Sequence, residues 1–296
     1  MTLTVEKTVR AEVRDPLPAR PKWASKVVVN AALLLATLYT LLPLTWLLVA
    51  STRSLGGLSG DVFDFSEFQF FDNVGALTKA DGGIYLRWYL NSLLYAVVGA
   101  GLGALFAVAA GYAFDKFSFK GKEKLFGLVL VGVLVPTTAL ALPLYLLASE
   151  LGVVNTFWAV FIPVLVNPFG VYLARIFSAS QVPDEVLEAA RMDGAGELTT
   201  FWSISLRMLM PGFVTVFLFQ FTAIWNNFFL PLVMLSDREL YPLSLGLYSW
   251  HTIVAAEREY YPLLITGALL AVVPVVVAFL SLQRHWKAGL TSGAVK

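Results

Sequence analysis

Six long runs without Asp, Glu, Lys or Arg constrain this sequence more than any other feature. Each is at least 24 residues long, and they cover 27–50, 88–114, 125–149, 151–174, 208–236 and 260–283. About 20 apolar helical residues cross the roughly 30 Å hydrocarbon core of a bilayer. Lipid offers no partner to open backbone groups, so the runs are expected to be helices. With only 14% charged residues, against about 25% in soluble domains, the chain is predicted to be an all-α membrane protein with six transmembrane helices.

The segments outside the runs complete the predicted domain organisation. Residues 1–26 mix charges and prolines and are expected to form a flexible tail, and 284–296 a C-terminal tail. The first run is too long for a cleaved signal peptide and is expected to stay as an anchor. The uncharged stretch 240–256 contains Pro242, Trp250 and His251, so we interpret it as an extramembrane helix and loop; a seventh span is the alternative.

The distribution of basic residues sets the predicted orientation. With the N-terminus in the cytoplasm, 16 of the 21 Lys and Arg residues lie in cytoplasmic segments. Loops on that side of a membrane carry the excess of positive charge. Six spans then place both termini in the cytoplasm, and the long segment 175–207 between the fourth and fifth runs also lies inside.

That segment has the pattern of two short helices around a Gly-Ala-Gly turn. Pro183 suits a first helical turn, with Asp184 beside the positive helix end. Gly194 and Gly196 end the first helix. A second helix begins near Glu197, and its apolar set is Leu198, Phe201, Trp202, Ile204 and Leu206. Residues 178–207 therefore form either a docking element for a partner or an amphipathic hairpin on lipid.

The same segment resembles the EAA motif of binding-protein-dependent ABC importer permeases. The motif E-A-A-x3-G-x9-I-x-L-P matches Glu188-Ala189-Ala190, Gly194, Ile204 and Leu206. Residues 182–195 are similar to the wider form found in maltose-type carbohydrate permeases, which includes Asp193. Further family blocks occur in order over residues 25–296: Asn91-Ser92-Leu93, Trp225-Asn226-Asn227-Phe228, Tyr241-Pro242-Leu243 and the tail 289–296.

The resemblance implies a type I ABC importer permease with transmembrane domain 27–283. The loop 183–206 would be the coupling helix, seated in a groove of a separate ATPase, and the tail 289–296 would reach the same interface. It would import a sugar in the cytoplasmic (inner) membrane of a prokaryote. Its partners would be a second homologous permease, two copies of the ATPase, an extracytoplasmic binding protein and the lipid bilayer. One residue departs from the motif: Arg207 replaces its proline, and the next proline is Pro211. The second helix is therefore expected to run further before it kinks.

The sequence lacks the residues that several kinds of functional site require. It has no cysteine, no Walker A pattern and no metal-site spacing around its two histidines. We therefore expect no catalytic residue, no metal site and no bound cofactor, with ATP and Mg used by the partner. A net charge of +1 argues against nucleic-acid binding. Absence of ionisable residues from the runs disfavours an ion-coupled secondary transporter, which remains an alternative, as does an importer of another solute such as a polyol or glycerophosphodiester.

Neutral amides and aromatic rings within the runs are the candidates for contact with an uncharged, hydroxyl-rich solute. They are Asn167, Tyr172, Gln220, Trp225, Asn226 and Asn227. The amides Asn226 and Asn227 are the first choice because they are adjacent and in the middle of a run. The alternative role for each residue is hydrogen bonding between helices.

Overall fold

A computed structural model describes residues 23–59 and 68–291. The tail residues 1–22 and 292–296 lie outside the described residues, so the structure does not address the predictions made for them. The described residues form helices and no strand. The α-helices are α1 Trp23–Ala50, α2 Phe70–Lys79, α3 Ile84–Leu93, α4 Gly99–Lys116, α5 Lys122–Leu134, α6 Ala141–Glu150, α7 Phe157–Val164, α8 Pro168–Gln181, α9 Asp184–Met192, α10 Glu197–Thr200, α11 Leu206–Met208, α12 Met210–Trp225, α13 Phe229–Met234, α14 Leu243–Ile253 and α15 Tyr260–Thr291.

The chain forms two units, one up to Trp46 and one from Leu47 onward. Most of α1 belongs to the first unit. This helix is apolar on all sides, and its Thr37 and Thr40 hydroxyls donate to carbonyls one turn back in the same helix. Polar hydroxyls are thus satisfied inside the helix, as a membrane-facing segment requires.

Four described helices are long and apolar enough to cross a membrane: Ser25–Ala50, Phe70–Lys116, Phe157–Gln181 and Tyr260–Gln283. A fifth candidate is the pair Glu197–Met208 and Met210–Trp225, which is bent by 77°. The prediction of six continuous spans is therefore only partly confirmed. The runs at 27–50 and 260–283 are single helices, whereas the other four are interrupted or displaced.

The run 125–149 is two helices, α5 and α6, and not one. Pro136 explains the break: it lacks the N–H that a helix needs, and it forces the preceding residue out of the helical region. Val135 is accordingly extended, with ψ 121°. The run 208–236 is divided in the same way at residues 226–228, because Pro231 fits a helix only in the first turn, here that of α13.

The remaining two runs differ at their ends. The helical run that contains 88–114 already starts at Phe70, bends at Asp81 and Gly82, and includes a π-helical turn at Leu94–Val98. The run 151–174 becomes helical only at Phe157, since Gly152 and Asn155 have positive φ. It pauses again at Asn167, whose side chain caps α8 by accepting from Gly170 N at 2.8 Å.

Helix α4 is the centre of the second unit. Glycines let its neighbours approach closely: a Cβ on Gly111 would lie 2.5 Å from Ala174 Cβ and 2.6 Å from Arg175 N in α8, and one on Gly103 would overlap the side-chain amide of Gln220 in α12. Such small residues permit close packing where lipid supplies no hydrophobic driving force. Helices α4, α8 and α12 thus form one tightly packed group.

The loop 236–243, between α13 and α14, is bound by α3. Trp88 Nε1 donates to Arg238 O at 2.7 Å, Asn91 Nδ2 donates to Glu239 O at 2.8 Å, and Ser92 Oγ accepts from Leu243 N at 2.7 Å. The predicted helix in 240–256 is confirmed as α14. At 11 residues it is shorter than the about 20 needed for a seventh span.

Asp81 holds the same loop from a second side. Its carboxylate accepts from Arg238 Nη2 at 2.7 Å, from Trp250 Nε1 at 3.0 Å and from Tyr260 OH at 2.7 Å. It adopts left-handed φ and ψ of 48° and 40°, a conformation that Asp tolerates better than most residues. One side chain thereby joins the α2–α3 bend to the loop, α14 and α15.

Candidate functional site

The EAA segment, residues 183–207, forms the two short helices that the sequence predicts. The first is α9, preceded by Pro183 in an extended conformation with ψ 142°. Its end is a Schellman motif: Gly194 N donates to Arg191 O at 3.0 Å, and Ala195 N donates to Ala190 O at 2.9 Å. Gly194 has φ 79°, a conformation that is costly for side chains with a Cβ.

The second helix of the segment begins at Glu197, as predicted, but its middle is a π-helical turn, Phe201–Ser205. The helix continues through Arg207 to Met208, and the 77° bend follows before Met210. The helix thus continues past Arg207, the position at which the motif has its proline. Pro211 falls in the first turn of α12, where its lack of an N–H costs nothing.

Buried apolar side chains attach the EAA segment to the helices beneath it. Leu187 of α9 and Phe201 pack in one cluster with Tyr112 of α4, Ala174 of α8 and Leu209. Ala190 is also buried, and Leu206 packs at the edge of the cluster. Ile204 is half-buried. The segment is therefore fixed to α4 and α8 by packing.

The opposite face of the EAA segment is exposed. Glu188, Ala189, Asp193 and Gly194 are exposed. So are three large apolar side chains: Met192 at 88%, Leu198 at 77% and Trp202 at 52%. The predicted apolar set of the second helix is therefore divided: Phe201 is buried and Ile204 and Leu206 are half-buried, whereas Leu198 and Trp202, one turn apart, face outward. The exposure of Met192 could have been predicted, since it lies four residues after Glu188 on one helical face.

Ion pairs surround the segment. Arg191 Nε lies 2.8 Å from Glu197 Oε1 and joins the two short helices, which raises the pKa of the Arg191 guanidinium. Lys116 Nζ lies 2.7 Å from Asp184 Oδ1, and this hydrogen bond lowers the pKa of the Asp184 carboxyl. The second pair was not predictable from local sequence patterns, because its members are 68 residues apart.

Three of the six residues proposed for the sugar pathway make side-chain hydrogen bonds to neighbouring helices. Asn167 Nδ2 donates to Gln220 Oε1 at 3.0 Å, and Gln220 Nε2 donates to Val164 O at 2.8 Å. Trp225 is buried, and its Nε1 donates to Ala271 O at 3.1 Å. These contacts are the interhelical hydrogen bonds that the sequence left as the alternative role.

The other three pathway candidates are more accessible. Tyr172 is 38% exposed. Asn226 is exposed at the end of α12, with Nδ2 donating to Thr222 O at 2.9 Å. Asn227 is half-buried, and its main-chain carbonyl accepts from Ser244 Oγ at 2.8 Å. Both amides lie in the break between α12 and α13, and not within a continuous helix.

A groove of about 370 Å³ lies beside this break. It is lined by Thr138, Ala141, Leu142, Tyr145, Phe229 and Val233, which belong to the starts of α6 and α13 and to the turn before α6. The interruptions of two predicted spans thus border the same groove. Over residues 23–59 and 68–291, no three His, Cys, Asp or Glu side chains are grouped so as to hold a metal ion.

Curated proteins with similar sequences are transport permeases. The chain is 34% identical over 258 residues to the arabinooligosaccharides transport system permease protein AraQ of Halalkalibacterium halodurans, covering 86% of this chain and 90% of that protein. It is 30% identical over 275 residues to the maltodextrin transport system permease protein MdxG of Bacillus subtilis, covering 92% and 96%.

A solved structure shows the same fold. It is the crystal structure of a bacterial ABC transporter involved in the import of the acidic polysaccharide alginate, with a TM-score of 0.77 at 22% identity, covering 91% of this chain and 99% of that one. Residues 82–291 match the family described as "binding-protein-dependent transport system inner membrane component". The chain therefore belongs to this family of ABC importer permeases and is a multi-pass membrane protein.

Proposed function

We propose that this chain is the permease subunit of an ATP-driven importer for a sugar or oligosaccharide delivered by an external binding protein. The family membership carries the transport role. The sugar class is supported by relatives named for arabino-oligosaccharides, lactose and maltodextrin. As a transport component the chain is not itself an enzyme; ATP and Mg are used by two copies of a partner ATPase, and a second homologous permease completes the pathway.

The EAA segment is the proposed contact with the ATPase. Its inner face is fixed to α4 and α8, whereas its outer face combines the carboxylate of Glu188 with the exposed Met192, Leu198 and Trp202. Large apolar side chains of this kind mark interaction sites and supply interface anchors. The proposed orientation follows: the EAA segment and both chain ends lie in the cytoplasm, and the loop 236–243 lies outside.

The groove beside Asn226 and Asn227 is the proposed contribution of this subunit to the sugar pathway. Irregular backbone at membrane depth is tolerated only where it is buried in protein or lines a watery cavity, and two interrupted spans meet here. Discontinuous helices often form the substrate site of a transporter. Asn167, Gln220 and Trp225 then support the wall of the pathway, and the exposed Asn226 at the end of α12 is its candidate sugar contact.

Reconstituted transport tests this proposal. The complex in proteoliposomes, with its binding protein, is offered arabino-oligosaccharide, maltotriose, lactose or glycerol, with and without ATP. We expect ATP-dependent uptake of at least one sugar. Gly194→Val should abolish it, because valine at φ 79° costs about 1–2 kcal/mol and distorts the turn.

Gly121→Val is the matched control. Gly121 has φ 85° and open space around its Cβ position, so it carries the same backbone strain outside the EAA segment. Uptake that continues without ATP, or uptake of glycerol alone, would contradict the proposal. Equal loss in both variants would show that strain, and not the ATPase contact, is responsible.

A further inference from the structure

The connection between α8 and α9 is not helical. The backbone therefore does not fix the direction of the EAA segment relative to α8. Helix α8 ends at Gln181, and both Val182 and Pro183 are extended, with ψ of 95° and 142°. A movement of α9 would therefore not be transmitted rigidly to α8 along the main chain. Leu187 holds the middle of α9 by packing, and a polar contact holds its first residue.

Lys116 is at the required position. It is the last residue of α4, and its Nζ contacts Asp184, the first residue of α9, at 2.7 Å. The same ammonium lies 3.2 Å from Asp115 Oδ2, which accepts from the fully buried Ser178 Oγ of α8 at 2.7 Å. One ammonium group thus connects α4, α8 and α9.

The Lys116 side of this contact is buried, whereas the Asp184 side chain is 78% exposed. The Lys116 side chain is only 7% exposed, and a charge removed from water needs its partners, since leaving it unpaired is costly. Each partner also suits its own helix end, because a cation is favoured at the C-terminus of α4 and an anion at the N-terminus of α9. Both effects favour one fixed arrangement of the two helix ends.

Helix α4 extends the connection further. Its contact with α8 at Gly111 is at backbone distance, so the two helices cannot shift independently. Through the π-helical turn it continues into α3, and the run from Ile84 to Lys116 is 33 residues, about 50 Å at 1.5 Å per residue. The far end of that run binds the loop 236–243. The Lys116 contact therefore lies at one end of a continuous helical run whose other end holds the loop 236–243.

We propose that Lys116 is a positioning residue that fixes α9 to α4 through Asp184 and so transmits movements of the EAA segment along α4. This proposal rests on the proposed function of the EAA segment. The contact stays closed during transport, and α4, α8 and α9 move as one body. Losing it leaves the ATPase bound but separates ATP hydrolysis from sugar movement.

The test measures the number of sugar molecules that the reconstituted complex imports per ATP hydrolysed. The probe is arabino-oligosaccharide, or maltotriose if that is the sugar imported. Asp184→Asn and Lys116→Met should each lower this ratio about fivefold or more, the lower range of coupling between sites. The ATPase should co-purify in normal amount. Asp184→Glu, which keeps a carboxylate at the start of α9, should keep the ratio within about twofold of the unmodified complex.

Glu123→Gln provides the matched control. Glu123 Oε1 pairs with Arg175 Nη2 of α8 at 2.8 Å, and its side chain is 70% exposed, close to the 78% of Asp184. This pair joins α8 to α5 and leaves the EAA segment untouched, so the ratio should stay within about twofold of the unmodified complex.

Three results would overturn the positioning role: a ratio for Asp184→Asn equal to that of Glu123→Gln, loss of the ATPase from the Asp184→Asn complex, or a ratio for Asp184→Glu no better than that for Asp184→Asn. A failure of the proposed function looks different, because the unmodified complex itself would then show no ATP-dependent sugar uptake.

Discussion

Gly111→Ala tests how closely α4 and α8 are packed. The added methyl group would lie 2.5 Å from Ala174 Cβ and 2.6 Å from Arg175 N. Comfortable carbon contacts are about 3.5–4.0 Å, so the two helices must separate by about 1 Å. Backbone atoms cannot rotate aside as a side chain can, and such overpacking costs about 1–3 kcal/mol. The helix propensity of alanine offsets about 1 kcal/mol of that cost.

Gly101→Ala is the control in the same helix, because no atom lies within 4 Å of its Cβ position. It gains the same propensity without the clash. The free energies of unfolding of the two variants should therefore differ by about 1–3 kcal/mol, a factor of about 5–150 in the unfolding equilibrium constant. Unfolding of the purified complex in detergent mixtures with increasing SDS measures this difference. Variants that agree within about 0.5 kcal/mol would refute the backbone contact.

Two further predictions concern the proposed pathway and the Lys116 contact. Asn226→Leu with Asn227→Leu should abolish sugar uptake while the complex still assembles; unchanged uptake would remove both amides from the pathway. The hydrogen bond from Lys116 lowers the pKa of the Asp184 carboxyl, with Arg191 contributing, so the ion pair persists above the ordinary value of about 3.9 and is lost only as pH falls through the lowered pKa. The ratio of sugar to ATP in the unmodified complex, relative to Asp184→Asn, should accordingly stay constant from pH 5 to 8, and a decline within that range would contradict this assignment.

Charge and glycine placement predicted the EAA segment well. The helix from Asp184, the turn at Gly194 and the new helix at Glu197 all follow from local chemistry, in which a proline, acidic first-turn residues and a glycine act over a few positions. Local patterns of this kind need no knowledge of distant parts of the chain. The Lys116–Asp184 contact does need it, since 68 residues separate its members.

The charge-free runs show that composition predicts membrane segments but not where their helices break. A charge-free run indicates that a segment is compatible with lipid, but it does not indicate that the segment is one continuous helix. Pro136 and Pro231 each divide one run into two helices. Both prolines are visible in the sequence, but Pro43 and Pro274 lie inside the continuous helices α1 and α15, so a proline alone does not predict a break. The roles of Asn167 and Gln220 were not predictable either, because an amide in a helix pairs with whichever helix lies beside it.

The contacts of the loop 236–243 have a consequence for biogenesis. Trp88, Asn91 and Ser92 find their partners about 150 residues later in the chain, between Arg238 and Leu243. At about 5–20 residues per second, the ribosome needs roughly 8–30 s to supply that stretch. During this interval the polar groups of α3 have to be satisfied by water, lipid headgroups or an insertion factor. A nascent chain stopped before residue 236 lacks the partners of all three side chains, so the fold of α3 is completed only late in synthesis.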